Sequence, residues 1–296
     1  DAEFCLLHRV QSCENLKLLT DTVVTGLTGA PGNPEEVSGV VCADGATYSA
    51  RIVVLAGGAL NSPRMLQAYF DEANLTAQLP AALNIGRNYK CHLNSALIVF
   101  SAGPITDLLR KTTILFHDGF PHSSVQNLGW LDGELIAPEL PRAAPHWVAD
   151  FAGRHAYGFW ITTEDGSHPE NRLAPSGSDA RYGVIDYDRD RLPPAETEHK
   201  RLIRTLEHQL LRSGYAGFVK RMPVDNTAHA CGTLMAGSDP TFSVVDRNGK
   251  VHGMANLYVA DGSVMPRSGR VNPALTIYAW GLRLSDHLQA RLRRES

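Results

Sequence analysis

The chain has 296 residues, 43% of them hydrophobic and 20% charged, with a formal net charge of −3. This is an ordinary globular composition, large enough for two domains or one big one. Acids and bases are interspersed, so no basic stripe points to nucleic acid, and no apolar run has the length of a membrane span. In chain order, residues 16–27 alternate and are rich in β-branched side chains, which predicts a strand. Pro31, Gly32, Asn33 and Pro34 make a turn. VSGVVCADG (37–45) and TYSARIVVLAGG (47–58) predict further strands, the second apolar enough to be buried on both faces. Ser62-Pro63 offers an N-cap and a proline for the first helical position, ahead of a helix at RMLQAYF.

The middle of the chain is less regular. SALIVF (95–100) and AYGFWITTE (156–164) predict strands, whereas 117–150, rich in Pro, Trp, Gly and His, has no clear period and reads as loops. Residues 195–213 form the clearest amphipathic helix. Leu202, Ile203, Leu206 and Leu210 make its apolar face, and Gly214 ends it. Near the end, FSVVD and ANLYVADGS read as strands divided by the turn RNGKVHG. NPALTIYAWGLRLSDHLQARLRR reads as a final helix with Asn272 as cap and Pro273 at its first position. Cys5, Cys13, Cys42, Cys91 and Cys231 are odd in number and not closely paired, which argues against a disulfide framework or a metal site. With no signal peptide at its start, the chain is expected to be cytoplasmic.

Several segments together carry a family pattern. HACGT (229–233), SVVDRNGKVHGMANLYVADGSVMP (243–266) and NPALTIYAWGLRLSD (272–286) resemble the glucose–methanol–choline (GMC) oxidoreductases, FAD enzymes that oxidise alcohols and sugars. LLTDTVVTGL (18–27) with VVLAGGALNSPRML (53–66), NIGRNYKCH (84–92) and, faintly, ENRLAPSGSD (170–179) are similar to further family segments. The resemblance implies an α/β fold in two parts. Residues 1–92 and 225–296 would form a Rossmann-like FAD-binding part, and 93–224 a mixed-sheet, α+β substrate-binding domain. It implies that His229 accepts the substrate hydroxyl proton while Asn272 bonds the same oxygen, a task a neutral imidazole suits near pH 7. It implies cofactor contacts at Val24 (backbone, toward adenine), Ala56 and Gly57 (nucleotide), Asp261 and Gly262 (pyrophosphate and ribityl chain), and Asn272, Pro273 and Thr276 (flavin ring). His92 and His252 are read as structural. The His/Asn pair is similar to choline-, pyranose- and cholesterol-type members.

The family's opening strand, Gly-x-Gly-x-x-Gly turn and helix are not found in these residues. A second polypeptide or a preceding segment carrying that turn is therefore expected as partner, along with a small alcohol or sugar. Two other readings stay open: a non-catalytic subunit that stabilises a flavoenzyme, and a nicotinamide-dependent dehydrogenase, for which no fingerprint is present. Trp130, Trp147, Tyr157 and Trp160 are candidates to stack on a sugar face.

Overall fold

The computed structural model of the chain describes residues 2–106, 111–141, 145–174, 184–223 and 229–295. Helix α1 (Ala2–Gln11) precedes strands β1 (Val24–Ala30), β2 (Asn33–Cys42) and β3 (Thr47–Ser49). Strand β4 (Val53–Leu55) leads into α2 (Gly58–Glu72). Then come β5 (His92–Phe100), β6 (Ile114–Leu115), β7 (Ser123–Trp130), α3 (Gly133–Ile136), α4 (His146–His155) and β8 (Ala156–Glu164). The chain continues through β9 (Arg172–Ala174), β10 (Val184–Asp186), α5 (Pro193–Arg212), β11 (Ala216–Arg221), β12 (Leu257–Val259) and α6 (Ala274–Glu295).

Strands β1, β2 and β3 form an antiparallel unit, and β4 pairs with β12 in parallel. Residues 16–23 are not the strand that their alternation predicts. They form no ladder, and Leu16, Leu18, Leu19 and Val23 are exposed. The single strand expected over 47–58 is two, because the chain changes partner at residues 50–52. Buried Asn256 holds that switch: its side chain donates to the Val37 and Arg51 carbonyls and accepts from Val37 N–H. Only one face of β4 is covered, since Val54 is 40% exposed between buried Val53 and Leu55. FSVVD makes isolated bridges rather than a strand.

Helix α2 begins at Gly58, with Gly57 as cap, so Pro63 lies inside it instead of opening it. A proline there has no N–H for the carbonyl four residues back. That carbonyl, on Ala59, instead accepts a 2.8 Å bond from Thr233 Oγ1. The turn before the helix is held by Asp261, whose Oδ2 accepts from Gly58 N–H and the Ser62 hydroxyl. Gly58 has a φ of +79°, which only glycine adopts freely.

The central sheet has the order β11-β5-β8-β7-β6, and every pairing in it is antiparallel, not mixed. Strand β7 falls in the stretch expected to be loops. Its buried positions include Ser123, Ser124 and Asn127, so no apolar alternation marks it; hydroxyl and amide partners make the burial tolerable. One face of the sheet packs Leu97, Val125 and Ile161 against Leu202 and Ile203 of α5. On that face His199, fully buried, bonds Ser95 Oγ and Thr163 Oγ1 at 2.8 Å each. A separate core joins α2, β4 and β12, with Leu66, Phe70, Leu257 and Val259 at its centre.

Candidate active site

Alternation along β5, β7 and β8 puts His92, Asn94, Ser124, Gln126, Trp160 and Thr162 on the sheet face away from α5. Residues 266–272 run across this face and are tied to it. Ser124 Oγ donates to Arg270 O at 2.7 Å. Gln126 Nε2 donates to Asn272 Oδ1 at 3.4 Å. His92 Nε2 lies 2.9 Å from Gly269 O and 3.3 Å from Ser268 O. Glu164, opposite His92 in the ladder, accepts from Arg267 and from Gly269 N–H, which holds its carboxyl below the usual range against the opposing effect of burial.

His229 reaches the same place from another direction. Lys90 and Cys231 exchange backbone hydrogen bonds at 3.1 and 2.9 Å, an antiparallel bridge between the segments 84–92 and 229–233. Two residues after Lys90 and two before Cys231, His92 and His229 meet. Their Nδ1 atoms are 2.9 Å apart, with ring centroids at 4.8 Å and planes at 73°. Close packing of the two segments requires Gly232, where a Cβ would stand 2.5 Å from Asn88 O. His229 has a φ of 72°, a left-handed conformation uncommon for a non-glycine residue. Burial, and then repulsion from His92, push its pKa down to about 4. Burial lowers His92 as well, opposed by the carbonyls of Gly269 and Ser268. Both rings are therefore neutral near pH 7.

Asn272 is exposed, and it is not the helix cap. Ile277 N–H donates to Pro273 O at 3.0 Å, the first bond of α6. Pro273 thus occupies the N-cap position, and Asn272 lies one residue outside the helix. Gly269, bonded to His92, is three residues before Asn272, at most about 11 Å of chain. One short loop thus carries both the anchor of the histidine pair and the amide.

The remaining candidate residues form two groups. Ala56 and Gly57 are exposed where β4 ends. They adjoin the turn 261–263, because Asp261 bonds Gly58, Ser62 and Ser263. The Asp261 carboxylate is thereby fully used in joining the two strand ends. Gly262 is buried beside Ile277 of α6 and Ala230 O. Pro273 is buried and Thr276 exposed at the mouth of α6. Val24 stands apart, opening β1 opposite Cys42. The C-terminal ends of parallel strands and an open helix N-terminus are where α/β folds take phosphates and anionic rings. The exposed Gly turn and the free N–H groups of the first turn of α6 fit a dinucleotide cofactor. Residues 175–179 of the Asn-Arg segment lie outside the described residues, while Asn171 binds Asp188 and Arg191. His252 bonds Ser243 and Gly237 O, as a structural histidine would. Among the described residues no cluster suits a metal ion, none of the five cysteines is in a disulfide, and no helix is long and apolar enough to cross a membrane.

Sequence reasoning missed the partnership of His92 with His229 and the roles of Ser124 and Gln126. No local pattern marks them, because Ser124 and Gln126 sit in a strand whose other face is polar too, and His92 and His229 are brought together by segments far apart in the chain. A cavity of about 380 Å³ opens nearby, lined by His122, Glu164, Asp165, Glu198 and Arg267. Neither histidine of the pair lines it. In its wall, burial pushes Asp165 up to about 6.

Residues 170–281 match the family model described as GMC oxidoreductase. 6'''-Hydroxyparomomycin C oxidase of Streptomyces lividus is 42% identical over 114 residues, 37% of this chain and 20% of that protein. Paromamine 6'-oxidase of Streptomyces fradiae is 37% identical over 132 residues, 42% of this chain and 24% of that protein. Through these segments the chain is similar to the GMC oxidoreductases. These curated matches span about a quarter or less of the relatives' length. Solved structures share the fold. Pyridoxine 4-oxidase from Mesorbium loti superposes with a TM-score of 0.70 at 22% identity, over 98% of this chain and 61% of the other. A formate oxidase of Aspergillus oryzae RIB40, from a study of FAD modification, superposes at 0.73 and 17% identity, over 96% and 63%.

Proposed function

We propose that this chain supplies the proton-accepting and substrate-holding half of an FAD-dependent oxidoreductase that oxidises a CH–OH group. The observation that carries this reading is His229. Its ring is neutral, half-buried and fixed by one hydrogen bond, at the edge of the polar sheet face that also holds the Asn272 loop. An alcohol releases hydride readily only as its proton leaves. His229 takes that proton, and the Asn272 amide bonds the same oxygen and aims the carbon. Bound FAD would supply the hydride acceptor. Ala56, Gly57 and Gly262 would lie against the nucleotide. Pro273, Thr276 and the mouth of α6 would lie against the ring, where unpaired N–H groups favour negative charge. Val24 is retained as a backbone contact toward adenine. Residues 1–92 and 225–296 would form the cofactor side and 93–224 the substrate side. Sugars and glycosides rank above simple alcohols as substrates, a choice supported by the relatives named for paromamine and 6'''-hydroxyparomomycin C.

His229→Ala should leave FAD bound and slow its anaerobic reduction by roughly 10²–10⁴-fold, the usual worth of a general base. Stopped-flow absorbance of the flavin, in the chain with whatever completes its nucleotide site, measures this. An unchanged reduction rate would remove His229 from the mechanism.

A further inference from the structure

We propose that His92 is a positioning residue that holds His229 in a single tautomer, with the proton on Nδ1 and the lone pair on Nε2. The proposal rests on the reading of His229 as base and adds what prepares it. His92 is fully buried, and its Nε2 stands 2.9 Å from Gly269 O and 3.3 Å from Ser268 O. Carbonyl oxygens only accept, so Nε2 of His92 carries a proton. A neutral imidazole has one N–H, which leaves His92 Nδ1 as an acceptor. His229 Nδ1, 2.9 Å away, must then donate. In neutral His229 the remaining nitrogen, Nε2, is bare and basic. The opposite arrangement would set a lone pair of buried His92 against two carbonyl oxygens and leave them unpaired.

The arrangement also serves the product of proton transfer. When His229 Nε2 accepts the substrate proton, its Nδ1–H remains bonded to neutral His92. That hydrogen bond becomes charge-assisted and stronger as the charge appears. The Lys90–Cys231 bridge fixes the two backbones, and the 268–269 carbonyls fix the outer ring. The pair is thus oriented before substrate arrives.

Nitrogen NMR of the completed enzyme, carrying ¹⁵N-labelled histidine, tests this, with the His229 signals assigned by their loss in His229→Ala. Wild type should show a protonated Nδ1 and an unprotonated Nε2 in His229. His92→Asn places an amide oxygen close to the Nδ1 position and should keep that tautomer. His92→Gln reaches toward the Nε2 position instead and should lose it. Flavin reduction in the completed enzyme should follow the same order. His92→Asn should stay within a few-fold of wild type. His92→Gln should fall roughly 10–10²-fold, the scale on which orienting partners act. A merely structural histidine would not rank the two amides this way. A wild-type His229 protonated on Nε2 overturns the proposal whether or not the variants fold. So does a His92→Gln chain that keeps the tautomer, or a His92→Asn chain that folds yet loses it. The spectra do not depend on turnover, so a failure of His229 as base in the reduction assay is read separately.

Discussion

At the scale of single residues, His229 combines a left-handed backbone with a ring held neutral by its surroundings. Conformations of this kind cost on the order of 1–3 kcal/mol and persist where packing over-determines them. Here the Lys90–Cys231 bridge and Gly232 do so. The base works deprotonated, and its pKa stands at about 4 instead of near 6.5. The reduction rate should therefore stay level as pH falls from 8 to about 5, and drop as pH passes through about 4. A drop centred near 6.5 in a pH series of stopped-flow traces would mean that the ring is not desolvated during turnover. Asn272 allows a sharper separation of roles. Because Pro273 holds the cap position of α6, Asn272→Ala should change the melting temperature little, less than the ~1 kcal/mol effect of losing a true cap. It should still slow flavin reduction at least roughly tenfold. Paired melts and rates decide: a large loss of stability with an unchanged rate would make Asn272 structural.

At the scale of elements, buried polar groups join helices to the sheet. His199 of α5 bonds Ser95 and Thr163, and burial pushes its pKa down to about 4. Unfolding returns it to about 6.5, so the unfolded chain binds more protons between these values. Stability should fall as pH drops from about 6.5 to 4, and His199→Gln should flatten that slope in thermal melts. Asp165, pushed up to about 6, acts in the opposite sense: its burial costs stability as pH rises from about 4 to 6. An unchanged slope in His199→Gln would show that other groups control the acid limb. The same polar joints explain what the sequence revealed and what it hid. The segments around His229, Asp261 and Asn272 were legible, as were α5, β5, β8, β12 and α6, because local pattern specifies them. The start of α2 was not. Ser62-Pro63 reads locally as a helix opening, but the partners that reset it, Asp261 and Thr233, lie far along the chain. Strand β7 was hidden for a related reason. Beside Val125 its buried side chains are polar, and partners such as Thr163 on β8 and Glu198 are set by the tertiary fold.

At the scale of the whole molecule, the parallel pair β4–β12 and helix α6 leave an apolar face bare. Leu275 is 81% exposed, Leu282 71% and Tyr278 52%. A groove of about 540 Å³ runs between Val54 on β4 and Leu284, Leu288 and Leu292 on α6. Parallel strands are ordinarily buried on both faces, and two strands alone make a marginal sheet. Large exposed apolar faces mark surfaces that another element covers, and the open strand edge adds a tendency to aggregate. Further strands carrying a Gly-x-Gly-x-x-Gly turn, in a longer form of this polypeptide or in a second one, would cover the face and supply the phosphate cradle that the Ala56–Gly58 turn lacks. The interface should be of obligate size, roughly 2,000 Å² or more. These 296 residues expressed alone should be insoluble or free of flavin, and co-expression with the cradle-bearing segment should yield a yellow complex. Size-exclusion chromatography with absorbance in the flavin band reads both outcomes. A monomeric, soluble preparation of the chain alone, loaded with FAD, would show that the bare face of α6 needs no further strands.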